Sequence, residues 1–136
     1  MEKILAIDIE KNIINDSLFI CSSSFEKRCL IIPHEIPKNK SIEAVICYFP
    51  NNYVETEKHT ENLKNLFLGR YSTIELSFET PLANYDKLYD KLITNEKKHI
   101  YVDISTFTRE TLLIIINHQK NQLVLKNILP DYAFLS

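Results

Sequence analysis

"KKHIYVDISTFTRETLLIII", residues 97–116, is the stretch on which the fold is read. It opens on a β-branched and aromatic run, His99 to Ser105, and closes on an apolar helical run from Arg109, with Asp103, Ser105, Thr108 and Arg109 at the crossing. A strand that passes through a short polar turn into a helix is one βα unit. Similar strand-like runs begin at Ser17, Glu43, Ser72 and Gln122. Their separation of roughly 25 to 30 residues is the rhythm of βα repeats, not the shorter spacing of a sandwich. The runs are nearly continuous in apolar character, as expected of parallel strands covered on both faces. They predict a three-layer α/β domain with a mostly parallel, four- or five-stranded central sheet and helices on both faces. The opening "ILAIDIEKNIINDSLFI" (4–20) reads as a strand, a turn at Lys11–Asp16 and the first central strand, with room for that first piece to be antiparallel.

Between the strands, 52–68 is polar early and apolar late, with Leu63, Leu66 and Phe67 at helical spacing. The run 81–93 starts on Pro81 and puts Leu82, Tyr85, Leu88, Tyr89 and Leu92 on one stripe, an amphipathic helix. Residues 109–119 are apolar around most of the circumference, so this helix needs more than one covering neighbour, and a subunit interface is one candidate. "PHEIPKNKS" (33–41) reads as a long loop, 122–129 as the last strand. The abrupt close on "ILPDYAFLS" leaves open a truncated chain or a missing partner segment.

Composition narrows the function. With 136 residues, 45% apolar and 25% charged, the chain fits one globular domain, 1–136. A net charge of −2 and a pI near 6.1 supply no overall basic field, which argues against a long duplex nucleic acid as partner. "MEKILAIDIEKN" has no basic leader, and no run approaches the ~18 apolar residues of a membrane span; the expectation is a cytoplasmic protein without membrane contact. Cys21, Cys29 and Cys47 are odd in number and lack C-x-x-C spacing, and His34, His59, His99 and His118 form no H-x-x-x-H pair, so neither a metal nor a cofactor is expected. The single glycine, Gly69, rules out a Walker or dinucleotide glycine loop.

Ligands of open α/β sheets bind beyond the carboxyl ends of the strands, and two predicted βα turns there are rich in hydroxyls. In "CSSSFEKRC" (21–29), one of Ser22, Ser23 and Ser24 suffices as helix cap, and Glu26 suits the positive helix end. Two serines then remain, which with helix-start amides and Arg28 would make an anion site. In "DISTFTRE" (103–110), Ser105 or Thr108 would cap the helix while Asp103 bonds loop amides. Arg109 opposes the helix dipole at a cost of a few tenths to ~1 kcal/mol, which a pairing with Asp103 or with an anionic ligand would offset.

Asp103-Ile-Ser105-Thr-Phe-Thr108-Arg109 resembles the D-x-[ST]-x-x-[ST]-[KR] signature closing the last major strand of CRISPR-associated Rossmann-fold (CARF) domains and related Rossmann-like sensors of prokaryotic antiviral defence. The likeness runs from His99 to His118, plus the βα order. It implies a Rossmann-like nucleotide-sensing module and a homodimer whose two copies of this turn enclose a cyclic oligonucleotide. The hydroxyls and the basic residue would lie on its phosphates, and in some members the pocket slowly cleaves the ring without a metal. Where the family often has glycine this chain has Thr106-Phe107, and Phe107 would crowd a phosphate approaching the backbone. The family's usual effector domain is absent, so no nuclease output is implied.

Two other classes compete. "DSLFICSSSFEKRC" (16–29) is similar to the start of TIR-like and nucleoside deoxyribosyltransferase-like domains, which cleave N-glycosidic bonds with a glutamate; Glu26, Glu55, Glu57 and Glu79 are the candidates. The over-apolar helix 109–119 suits a non-catalytic subunit of a larger assembly. No nucleophile–His–Asp motif is legible, so catalytic residues stay unassigned.

Overall fold

A computed structural model describes residues 2–4, 13–50, 53–125 and 131–135. Six strands, all parallel, form one sheet: β1 (Glu2–Ile4), β2 (Ser17–Ser23), β3 (Ile42–Tyr48), β4 (Tyr71–Glu75), β5 (His99–Asp103) and β6 (Asp131–Leu135), in the order β1-β6-β5-β2-β3-β4. β2 to β5 match four of the strands the sequence predicts, β6 completes a five-stranded central sheet, and the three-residue β1 extends it at one edge. The helices are α1 (Ile31–Glu35, preceded by a 3-10 turn Lys27–Leu30), α2 (Val54–Leu66), α3 (Pro81–Ile93) and α4 (Arg109–Leu125).

The period-two alternation of the strands sorts the core into two layers. Leu18, Ile20, Val45, Cys47, Ile100 and Val102 face α3 and α4, meeting Leu88, Leu92 and Ile115. Phe19, Cys21, Ala44, Ile46 and Tyr101 face the other way, onto Ile32 of α1 and Leu63 of α2. Because both faces are covered, β2 is buried at all seven positions, whereas the edge strand β4 is buried only at Ile74. This is the three-layer, Rossmann-like α/β arrangement.

Three expectations change. The stretch 122–129 was expected as a strand, but α4 continues to Leu125, and the strand paired with β5 is β6 at 131–135. A short apolar run reads alike in a buried helix and a buried strand, and only the pairing separates them. The N-terminal strand is parallel to β6, not antiparallel, since it docks at the far edge instead of folding back as a hairpin. The supposed loop 33–41 begins inside α1. The turn expected at Lys11–Asp16 lies partly outside the described residues; its described end places Asp16 at φ 62, with its amide bonded to the Ser41 carbonyl.

The second neighbour of α4 is α3, in the same chain. Ile115 is fully buried, Leu112, Ile114 and Ile116 are partly buried against the core, and Leu113 is 51% exposed. Truncating Ile115 to Ala should therefore destabilise by about 2–5 kcal/mol, while Leu113→Ala should stay within about 0.5 kcal/mol for a single copy. Urea denaturation of both variants tests this; equal losses would mean that another surface covers Leu113.

Candidate functional site

The chain runs from β2 outward through β3 to β4, then returns to the other side of β2 to lay down β5 and β6. Strand order therefore reverses between β2 and β5, and the crevice beyond their carboxyl ends is the place where such sheets bind ligands. Both hydroxyl-rich turns leave from there. Leu18, Phe19 and Ile20 are in register with Ile100, Tyr101 and Val102, and beyond the paired segment Thr106 Oγ1 donates to the Ser22 carbonyl at 2.8 Å. Thr106, which sequence reading treated only as a replaced glycine, is thus the residue that ties the two turns together.

In the first turn the three serines have different surroundings. Ser22 and Ser23 belong to β2 and are buried. Ser23 Oγ receives the Thr60 hydroxyl at 2.8 Å and reaches the Thr56 carbonyl at 3.3 Å, so it fastens β2 to α2. Ser24 Oγ accepts the Glu26 amide at 3.1 Å, the local turn expected of a capping serine. The helix it leads into was expected to hold Glu26 in its first turn. Instead Glu26 stays extended and precedes a four-residue 3-10 turn and a five-residue α-helix, too short to build a useful dipole for an anion. Arg28, 56% exposed, pairs with Glu26 at 2.8 Å.

Cys29 and His59 meet behind this turn, with Sγ 3.6 Å from Nδ1, but they do not form a nucleophile and base. His59 Nδ1 lies 2.7 Å from the Ser24 carbonyl, an acceptor only, so that nitrogen carries the hydrogen and cannot take the thiol proton. Burial, and after it the Asp103 charge, raises the Cys29 thiol, against hydrogen bonds from Ser24 that lower it; burial and Asp103 do the same to Cys21. These cysteines stay protonated. Among the described residues no three His, Cys, Asp or Glu side chains converge on a metal position.

In the second turn every polar side chain has a separate place. Asp103, only 2% exposed, ends β5 and accepts the Ser105 amide on Oδ1 at 2.9 Å. Burial lifts its carboxyl from 3.8 to about 6, against the pull of the Ser105 hydrogen bonds. Thr108 is the cap of α4: its Oγ1 accepts the Thr111 amide at 3.3 Å and lies 2.9 Å from the Thr111 hydroxyl. Phe107 turns into the core beside Ile115, which leaves the backbone of the turn clear of its ring. Arg109 is exposed and makes no ion pair among the described residues, with Asp103 or with any other carboxylate.

Aromatic rings at the same sheet edge escaped the sequence reading. Phe25, directly after the serines, lies 4.9 Å from Tyr53, and Phe49 stacks at 4.1 Å on Phe78, which is 76% exposed. The available signal was weak: aromatic residues falling in turns, outside any strand or helix period. A cavity of about 260 Å³ lies beside Tyr53 and the first turns of α2, and a larger one of about 410 Å³ opens at the opposite edge; neither is lined by Ser105, Thr108 or Arg109. In the second turn Ser105 and Thr108 are half-buried and Arg109 is exposed.

The chain matches no protein-family model and no curated protein.

Asp103 makes stability depend on pH in a definite direction. Well below pH 4 it is neutral whether the chain is folded or not. Between 4 and about 6 the unfolded chain ionises it first, so folding loses stability as pH rises, and above 6 the full penalty of up to about 3 kcal/mol is present. Asp103→Asn retains an acceptor for the Ser105 amide and removes the charge. Relative to the native chain it should be about equally stable at pH 3 and more stable by about 1–3 kcal/mol at pH 7, by urea denaturation at both. A variant less stable at pH 7 would show that the carboxylate has a stabilising partner.

Proposed function

We propose that the chain is a nucleotide-sensing, Rossmann-like module of the CARF type, binding an anionic nucleotide such as a cyclic oligonucleotide at the crevice between β2 and β5. The observation that carries this reading is Arg109: an exposed cation with no ion pair among the described residues, at the first position of a 17-residue helix, at the reversal point of the strand order. Helix-start amides and a guanidinium together suit a phosphate, and a phosphate relieves the unfavourable contact between Arg109 and the helix dipole. Ser105 lies beside them, while Asp103 shapes the turn from below by holding the Ser105 amide. Phe25 and Tyr53 across the crevice offer faces for a base.

The exposure of Arg109 leaves its charge accessible to a ligand enclosed by a second copy. In this reading two chains meet along α4, with the exposed Leu113 in the contact, and bring two such turns together. The glycosidase alternative has no comparable support: Glu26 pairs with Arg28 at the surface, and Glu55, Glu57 and Glu79 are exposed.

Calorimetric titration with linear and cyclic oligonucleotides tests the reading. Arg109→Ala should weaken binding by about 1.5–3 kcal/mol, roughly 10- to 150-fold, with little change in melting temperature. Thr108→Ala should instead lower stability by ~1 kcal/mol, as loss of the α4 cap. No binding by the native chain to any member of the panel would replace this reading with that of a non-catalytic partner subunit. Phosphodiesters keep their charge between pH 5 and 7, whereas Asp103 does not, so a bound one should repel the carboxylate at the higher pH. Affinity should be a few-fold tighter at pH 5 than at pH 7, and Asp103→Asn should flatten the difference; a slope unchanged in that variant would place the ligand away from Asp103.

A further inference from the structure

We propose that the cavity at the edge of the sheet opposite the two turns, between the C-terminal ends of α1 and α2, binds a small organic anion with an apolar body. Its volume of about 410 Å³ is that of a small-molecule site. Ile36, Phe67 and Leu68 are among its apolar walls, Lys38, Lys40 and Arg70 supply its charge, and among the described residues no carboxylate lines it. In a chain of net charge −2, a concave surface carrying three cations and no acid is a local reversal of sign.

These cations are not part of the ion-pair network of the fold. Arg28, Lys64, Lys91 and Lys97 each pair with a carboxylate, whereas Lys38, Lys40 and Arg70 pair with none among the described residues. Arg70 instead donates to Ser41 Oγ at 3.2 Å, which ties its guanidinium to the loop that carries the two lysines. Cations also collect near helix C-termini to offset the dipole. Here that accounts for only part: α1 has five residues, and the end of α2 is worth about −0.5 charge against three cations. A positive excess remains for a ligand.

The apolar wall points the same way. Leu68 lies at φ 50, in the left-handed region that a leucine disfavours, and is 74% exposed. Neither its backbone nor burial within the chain favours leucine there, and an apolar ligand body against it would. His34 Nε2 and Asn62 Oδ1, 3.1 Å apart, join α1 to α2 at the rim, leaving the Asn62 amide group as a further donor. Carboxylates, sulfonates and phosphate monoesters share the chemistry required: one anionic head for the cations and one apolar body for the wall.

Anilinonaphthalene sulfonate, whose fluorescence rises in apolar surroundings, is the probe, and phenylnaphthylamine is its uncharged counterpart. Titrated into the folded chain, the sulfonate should saturate at one site per chain and bind at least tenfold more tightly than the neutral compound. Lys38→Ala, Lys40→Ala and Arg70→Ala combined should lower its affinity at least tenfold, while Arg109→Ala, at the other edge, should leave it unchanged. In the native chain, amide NMR shifts on adding the sulfonate should concentrate at residues 34–42 and 62–70. Equal binding of both compounds, non-saturating binding, shifts scattered outside those segments, or a loss caused by Arg109→Ala would each overturn the proposal. Because the site at Arg109 is assayed separately with oligonucleotides, failure of either leaves the other standing.

Discussion

The parallel pairing of β2 with β5 is the constraint from which the rest of this molecule follows. Leu18, Phe19 and Ile20 lie in register with Ile100, Tyr101 and Val102, so the two strands that start the opposite halves of the sheet lie side by side. That adjacency, with β3 on the other side, pairs both edges of β2, and it brings two turns 84 residues apart in the chain into hydrogen-bond contact through Thr106 and Ser22. A shift of one residue in this register would move Ile20 and Val102 to the wrong faces and separate the turns at once.

The energetic compromise at the carboxyl edge is concentrated in one side chain. A carboxylate removed from water at the end of β5 is retained because its oxygen supplies an acceptor to the Ser105 amide, which gives the turn a defined shape. The nearby polar groups do not neutralise it: Arg109 points its charge to solvent instead of to Asp103, and the neighbouring thiols are raised, not ionised. The turn thus carries a cation with no ion pair among the described residues beside a carboxylate whose burial costs stability.

The two edges of the sheet have opposite characters. At the carboxyl edge the polar groups lie on an open surface beside exposed rings. At the amino edge the ends of α1 and α2 and the loops before β3 and β4 leave a concave, cation-bearing space. Helix amides converge on the first edge and helix carbonyls on the second, so any anion at the second must be held by side chains alone. Lys38, Lys40 and Arg70 are placed to do that.

Local chemistry in the sequence was enough to determine the βα rhythm, the central strands, the helix starting on Pro81 and the polar turn from Asp103 to Arg109, because strand period, helix period and Pro at a helix start act over a few residues. What lay beyond it depends on contacts between distant segments. Leu123 to Leu125 can continue a helix or begin a strand, and the pairing of β5 with 131–135 decided between them. Three serines in a row look equivalent, yet β2 and α2 claim Ser23 while Ser24 forms the turn. Phe107 read as an obstacle to a phosphate until the core drew its ring inward. Lys38, Lys40 and Arg70 carry no common motif, and only the packing of α1 and α2 against the loops before β3 and β4 brings them to one cavity. Side-chain identity sets what each residue can do, and tertiary packing decides which partner it does it with.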